Sequence, residues 1–336
     1  MRILIVSDAW FPQVNGVVRT LSTLRRILKS EGHEVVMVTP DLVLSLPCPG
    51  IPDIQLALWP RIYIRRVIER LRPDAIHIAT EGPLGWAARK ECLKQRLPFT
   101  TAYHTKFPEY LQTRFGIPER WTYALVRRFH APSQAVMVPT PTVMKELEEH
   151  GFKNVAYWSR GVDTDLFMPM GREALNLPRP ILICVGRVAP EKNLPAFLDL
   201  DIPGTKVIVG DGPLLEGLKE SYPHVHFTGA QFGQDLARLY SAADVFVFPS
   251  RTDTFGLVLL EALACGLPVA AYPVQGPLDV LDSAEGAALD EDLGKACLKA
   301  LAIPREVCRA YALKRSWSSC TQQFLSNLAV EEPVDG

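Results

Sequence analysis

Short apolar runs recur along the chain, each followed by a loop and a helix-spaced segment, and this alternation starts twice. A run that is apolar at every position reads as a strand buried on both faces, the mark of a parallel sheet. The first run is residues 3–6 (ILIV). A loop with Pro12 and Gly16 follows, then helical spacing over 17–29 through Leu21, Leu24 and Leu28. Gly32 stops that helix, and 33–39 (HEVVMVT) is the next strand. Further strands are predicted at 75–78, 99–103 and 135–139, with helices over 84–95 and 143–150. The second series has strands at 180–185, 206–209, 225–227, 244–248 and, last, 268–271, with a helix over 257–264. The pattern predicts an α/β chain of two doubly wound parallel-sheet domains. The turn-rich stretch 157–169 holds the boundary, giving domains 1–158 and 159–316 and a C-terminal segment 317–336.

A chain of 336 residues is too long for one typical core, which agrees with two domains. The net charge of −1 gives no reason to expect a nucleic-acid partner. The halves differ: residues 1–158 hold 21 Lys and Arg against 14 Asp and Glu, and the remainder 15 against 23. A basic half fits either an anionic surface partner or a chance distribution. The seven cysteines are scattered with no Cys-x-x-Cys, which reads as reduced thiols in a cytoplasmic protein and not as a disulfide frame or zinc site. The first apolar run reaches Asp8 too soon for a signal peptide, and no run reaches the ~18 residues of a membrane span. Membrane contact, if any, is expected to be peripheral, on the inner face of the cell membrane.

Ligands of open α/β sheets bind outside the carboxyl ends of the strands. Three loops there carry unusual residues. Residues 7–17 (SDAWFPQVNGV) place Gly16 near a helix start, where a backbone N–H can meet a phosphate, or where the glycine serves only the turn. The loop lacks Gly-x-Gly-x-x-Gly, which argues against a simple NAD enzyme. Residues 186–193 (GRVAPEKN) hold Arg187 and Lys192, two cations that can clamp a diphosphate or stand solvated. Residues 249–266 hold Asp253 in the loop and Glu261 on an apolar helix. A buried carboxylate needs partners, here either a ribose diol or an arginine. Phe255, Gly256 and Leu257 open that helix, whose free N–H groups can meet phosphate or sugar oxygens.

At these residues the chain resembles the retaining glycosyltransferases of family 4, which have the GT-B fold. The resemblance is carried by AWFPQVNGV at 9–17, YHTKFPEY at 103–110, SRGVDTDLF at 159–167, GRVAPEKN at 186–193, VGDGP at 209–213 and the stretch 249–270. It implies two Rossmann-like domains facing across a cleft, the first for the acceptor and the second for the nucleotide-sugar donor. It also implies a role for each matching residue. Gly16 would offer its N–H to the donor diphosphate, and Arg187 and Lys192 would hold it and stabilise the leaving group. Asp253, where Glu is usual, would touch the donor sugar, and Glu261 would bind the ribose. Phe255, Gly256 and Leu257 would line the pocket, Gly210 would let the backbone approach the nucleotide, and His104 would sit beside the transferred sugar. Ser318 stands where the family often has Glu, at the start of a C-terminal helix expected to cross back to the first domain.

The reaction implied is a front-face displacement with retention, without metal or cofactor, on a lipid or glycan acceptor. The pattern is similar to a branch that holds GDP-mannose-dependent α-mannosyltransferases and UDP-sugar-dependent diacylglycerol glycosyltransferases. A nucleotide-sugar epimerase and a non-catalytic nucleotide-sugar binder are the readings of other classes. Residues 61–72 (RIYIRRVIERLR) form a basic amphipathic helix that fits either an anionic membrane or a solvated surface face. Trp10, Trp59, Trp121 and Trp158 are expected to be packing residues.

Overall fold

The computed structural model describes residues 1–330 except Val14, 49–50, 105–107, 109–111, 113–115, 253–254 and 282–284, with backbone alone at 51–54. The chain forms two compact units, Met1–Arg160 with Trp317–Gly336, and Gly161–Ser316.

In the first unit the strands are β1 (Arg2–Val6), β2 (Glu34–Val38), β3 (Ser45–Cys48), β4 (Ile51–Ala57), β5 (Ala75–Ile78), β6 (Thr100–Ala102), β7 (Val136–Val138) and β8 (Val155–Tyr157). Six of them make a parallel sheet in the order β2-β1-β5-β6-β7-β8, and β3 and β4 pair apart as an antiparallel hairpin. The reason for the unbroken ILIV run is visible in the packing. Ile3 and Ile5 meet Leu21, Leu24 and Leu28 on one face, while Leu4 and Val6 meet Ile64 and Ile68 on the other. The helix Arg61–Leu71 therefore spends its apolar side on the core and turns its arginines to solvent.

The helix Trp317–Asn327 belongs to this unit. Its Phe324 packs with the fully buried Trp158, and Cys320 O accepts the Trp158 Nε1–H at 3.2 Å. Trp158 is thus a packing residue as expected, but Trp59 and Trp121 are exposed, because each lies at the solvent side of a helix start.

The second unit has β9 (Ile181–Val185), β10 (Thr205–Val209), β11 (His226–Gly229), β12 (Val245–Phe248), β13 (Val269–Ala271) and β14 (Ala287–Leu289). They form a parallel sheet in the order β11-β10-β9-β12-β13-β14. Strand direction of growth reverses beside β9, so the topological switch point, where open α/β sheets as a class take their ligands, falls between the ends of β9 and β12. The expectation that residues 268–271 form the last strand is corrected by β14. Its sequence, AAL, carries no β-branched residue and no run long enough to read. The β3–β4 hairpin was also illegible, since Pro47 sits inside β3 and proline argues against a strand.

Candidate functional site

The loops that leave β9 and β12 are tied together. Ser250 Oγ donates to Glu191 O at 3.1 Å, and Asn193 Nδ2 donates to Pro249 O at 3.1 Å. Between them lies a cavity lined by Gly186, Arg187, Lys192, Phe248, Pro249 and Ser250. Arg187 is exposed there, and the Lys192 side chain passes over Gly186, with Cε 3.9 Å from where a Cβ on that glycine would be. Two cations around one crevice have the chemistry to hold a diphosphate.

Gly210 has a packing reason for its identity within the fold. A Cβ at Gly210 would sit 1.9 Å from Gly186 O, and one at Gly212 would sit 2.4 Å from Val188 O. Val188 N–H donates to Asp211 O at 2.8 Å, and Gly186 N–H donates to Val209 O at 3.0 Å. The 209–213 loop therefore buttresses the Arg187 loop from behind. Glycine is required for that close approach of two backbones.

Phe255, Gly256 and Leu257 lead into the helix Leu257–Ala264, with Gly256 at φ +74° as its N-cap. A Cβ there would press on Leu259 and on the Phe248 ring, so the glycine also holds the helix start close to the end of β12. Glu261 lies on this helix, buried, and accepts a hydrogen bond from the buried Tyr240 hydroxyl at 3.2 Å. Of the two partners weighed for it, ribose or arginine, neither anticipates this tyrosine, which reaches it from the helix Gly233–Ala242. Asp253 lies outside the described residues.

In the first unit Asn15 caps the helix Gly16–Ser30, accepting from the N–H groups of Val17 and Val18 at 3.0 Å each. Gly16 is left as the outermost amide of that terminus. Asp8, just after β1, was missed by the sequence reading. It is buried and accepts from the N–H groups of Leu84 and Gly85 at 2.8 and 3.2 Å and from the Thr80 hydroxyl at 2.9 Å. It caps the helix Pro83–Gln95 from a strand far away in sequence. Burial pushes its carboxyl above the usual range, against the pull of those hydrogen bonds.

His104 follows β6, and its Nδ1 faces Arg160 Nη2 at 3.0 Å. Most of YHTKFPEY beyond it lies outside the described residues. Two other buried histidines stand nearby in the fold. His130 Nε2 meets Glu81 Oε1 at 3.1 Å, and its Nδ1 meets Thr101 Oγ1 at 2.8 Å. His77 Nδ1 meets Thr100 Oγ1 at 2.9 Å, and its ring stands edge-on to Trp158 and Phe324. Neither histidine had a sequence signal beyond its type, because their partners come from other strands and helices.

Burial, with the charge of Arg160 second, pushes His77 down to about 3 from an ordinary 6.5. Below pH 6.5 the unfolded chain gains a proton on this side chain that the folded chain refuses. Stability present above that pH is therefore lost as pH falls toward 3. The cost reaches about 2 kcal/mol at pH 5. Urea unfolding of His77→Gln is expected to flatten the stability profile between pH 6.5 and 5 by about that amount. An unchanged profile would refute the assignment. His104 is lowered in the same direction and keeps part of the slope.

Comparison with known proteins follows the same division of the chain. A model of Glycosyltransferase Family 4 matches residues 14–166, and one of Glycosyl transferases group 1 matches 179–302. A GDP-mannose-dependent alpha-mannosyltransferase of Mycobacterium tuberculosis (strain CDC 1551 / Oshkosh) is 32% identical over 309 residues, covering 84% of this chain and 81% of its own. The alpha-monoglucosyldiacylglycerol synthase of Streptococcus pneumoniae is 29% identical over 81% of this chain and 71% of its own. Among solved structures, sucrose-phosphate synthase from Thermosynechococcus elongatus superposes with a TM-score of 0.75 at 22% identity, covering 97% of each chain. The two parallel-sheet units are thus those of the GT-B fold.

Proposed function

Because the chain belongs to glycosyltransferase family 4 and is a hexosyltransferase that uses a nucleotide sugar, we propose that it delivers the hexose, with retention and without metal, to a lipid or glycan acceptor. GDP-mannose is the donor favoured by the 32% identical relative, and a UDP-sugar passed to diacylglycerol is the second reading, favoured by the likeness to a diacylglycerol glucosyltransferase. The observation that carries the proposal is the crevice holding Arg187 and Lys192 at the reversal of strand order. There the glycosyl–phosphate bond breaks while the acceptor oxygen bonds the same face of C1. The acceptor proton passes to a phosphate oxygen of the leaving diphosphate. The Arg187 fork and the Lys192 ammonium stabilise the negative charge that grows on it, the part that a bound metal plays in other transferases.

Among the described residues no helix is long and apolar enough to cross a membrane. A lipid acceptor must then be met at a surface. The apolar side of the helix Arg61–Leu71 is buried and unavailable, but Leu44 and Leu46 of the hairpin, with Trp59 and Ile62, are more than half exposed. Leu58 N–H donates to Leu44 O at 2.7 Å, which puts these apolar side chains beside the start of the arginine-rich helix. Exposed apolar groups rimmed by arginines favour an anionic lipid surface.

The test is a screen of GDP- and UDP-sugars with the full chain, with diacylglycerol vesicles containing anionic lipid as acceptor, with and without EDTA. One donor class is expected to be consumed, EDTA is expected to leave the rate unchanged, and proton NMR is expected to find an α-linked product. Consumption of neither donor class would overturn the donor reading. A β-linked product would overturn retention, and loss of turnover in EDTA would overturn metal independence. Failure to co-sediment with the anionic vesicles at low salt would remove the lipid reading.

A further inference from the structure

Arg160 is buried, 4% exposed, and among the described residues no carboxylate pairs with it. Its Nη1 donates to Trp158 O at 2.7 Å and to Ser159 O at 3.1 Å, and its guanidinium lies over the Trp158 ring at 4.1 Å. Trp158 is itself held by the C-terminal helix, through Cys320 O and the Phe324 ring. A charge kept in the interior at this expense needs a task, and its remaining contact is His104 Nδ1 at 3.0 Å.

A guanidinium has donors and no acceptor. The Nδ1 facing it must therefore present its lone pair, and the one proton of a neutral imidazole stands on Nε2. Protonating Nδ1 would set a second cation against the first inside the protein. Burial lowers Arg160 only to about 10, so it stays charged at neutral pH. Burial, Arg160, His77 and His130 all hold His104 well below 6.5. The Nε2 atom is buried and has no hydrogen-bond partner among the described residues. A buried donor without an acceptor costs stability unless a ligand supplies one.

We propose that Arg160 is a positioning residue for sugar transfer: it locks His104 as the neutral tautomer with the proton on Nε2. His104 then serves as a hydrogen-bond donor to an oxygen of the bound sugar or its phosphate, and not as a base. This rests on the reading that His104 sits beside the transferred sugar.

Long-range proton–nitrogen NMR on the full chain with labelled histidine tests it, with His104→Ala used to assign the signal. His104 is expected to show an unprotonated Nδ1 and a protonated Nε2, unchanged from pH 8 to pH 5. In Arg160→Met the two tautomers are expected to mix, and kcat to fall on the order of tenfold to a hundredfold while KM for the donor moves less than about threefold. Arg160→Lys retains a cationic donor and is expected to restore the ring signature and part of kcat. A proton on Nδ1 in the unaltered protein, titration of His104 between pH 5 and 8, or an Arg160→Met variant with unchanged ring signature and kcat would each overturn the proposal. Should Arg160→Met fail to fold, the unaltered protein and Arg160→Lys still decide the tautomer. Full transfer by His104→Ala would instead remove the sugar-facing reading, leaving the tautomer to the spectrum alone.

Discussion

Replacing Arg187 by alanine is expected to lower kcat/KM for sugar transfer by about a thousandfold, with most of the loss in kcat. Arg187 stands exposed in the crevice between the ends of β9 and β12, and among the described residues no hydrogen bond or ion pair engages its side chain. Its removal should leave the unfolding midpoint in place. In the proposed mechanism a fork of N–H donors grips two oxygens of the leaving diphosphate, whose charge grows from the ground state to the transition state, so ground-state binding suffers less than the rate. Arg187→Lys keeps the charge and loses the fork, and should remain at least about tenfold below the unaltered enzyme. Lys192→Ala is expected to act in the same direction, and the double variant to lose less than the product of the two, because both serve one anion. Steady-state kinetics with the donor found by the screen measure all three. A transfer rate within about threefold of normal in Arg187→Ala would remove the crevice from the mechanism.

Gly210→Ala should do its damage by a different physical route. The new methyl carbon would stand 1.9 Å from Gly186 O, at a residue with φ +154°. Neither backbone can give way cheaply, since Gly210 N–H is bonded to Gly229 O at 2.9 Å and Gly186 N–H to Val209 O at 3.0 Å. A loss of about 2–4 kcal/mol is expected in urea unfolding of the full chain, from strain and overpacking together. The same push moves the Arg187 loop, so KM for the donor should rise as well. Gly217→Ala is the control. Nothing lies within 4 Å of a Cβ there, and its place in the helix Leu215–Ser221 predicts a gain of up to about 1 kcal/mol. Equal stability of the two variants would refute the buttress reading of the 209–213 loop.

How much of this was legible beforehand varied with the kind of signal. The helix predicted over 257–264 and the strand predicted over 75–78 coincide with Leu257–Ala264 and Ala75–Ile78. Both are strongly apolar segments with clear stops. The hairpin at Ser45–Cys48 and Ile51–Ala57 and the strand Ala287–Leu289 were not legible, since proline in one and two alanines in the other hide the strand pattern. Gly210 was legible as a glycine of close backbone approach, but the backbone of Gly186 as its neighbour was not. The clash that excludes a side chain comes from Gly186, on another strand's loop.

By itself the sequence determined the alternation of strand and helix, the restart of that pattern, and the loops after the strands where charged residues and glycines gather. Those are properties of neighbours along the chain, governed by periodicity and turn chemistry. Only the tertiary structure decided that Asp8 caps the helix Pro83–Gln95, that Tyr240 meets Glu261, and that Arg160 faces His104 from a platform built on the C-terminal helix. Each pair joins residues separated by 21 positions or more, brought together by strand order and layer packing. Hydrogen bonds over such separations depend on which strands lie side by side, and the local pattern of apolar and polar residues does not encode that.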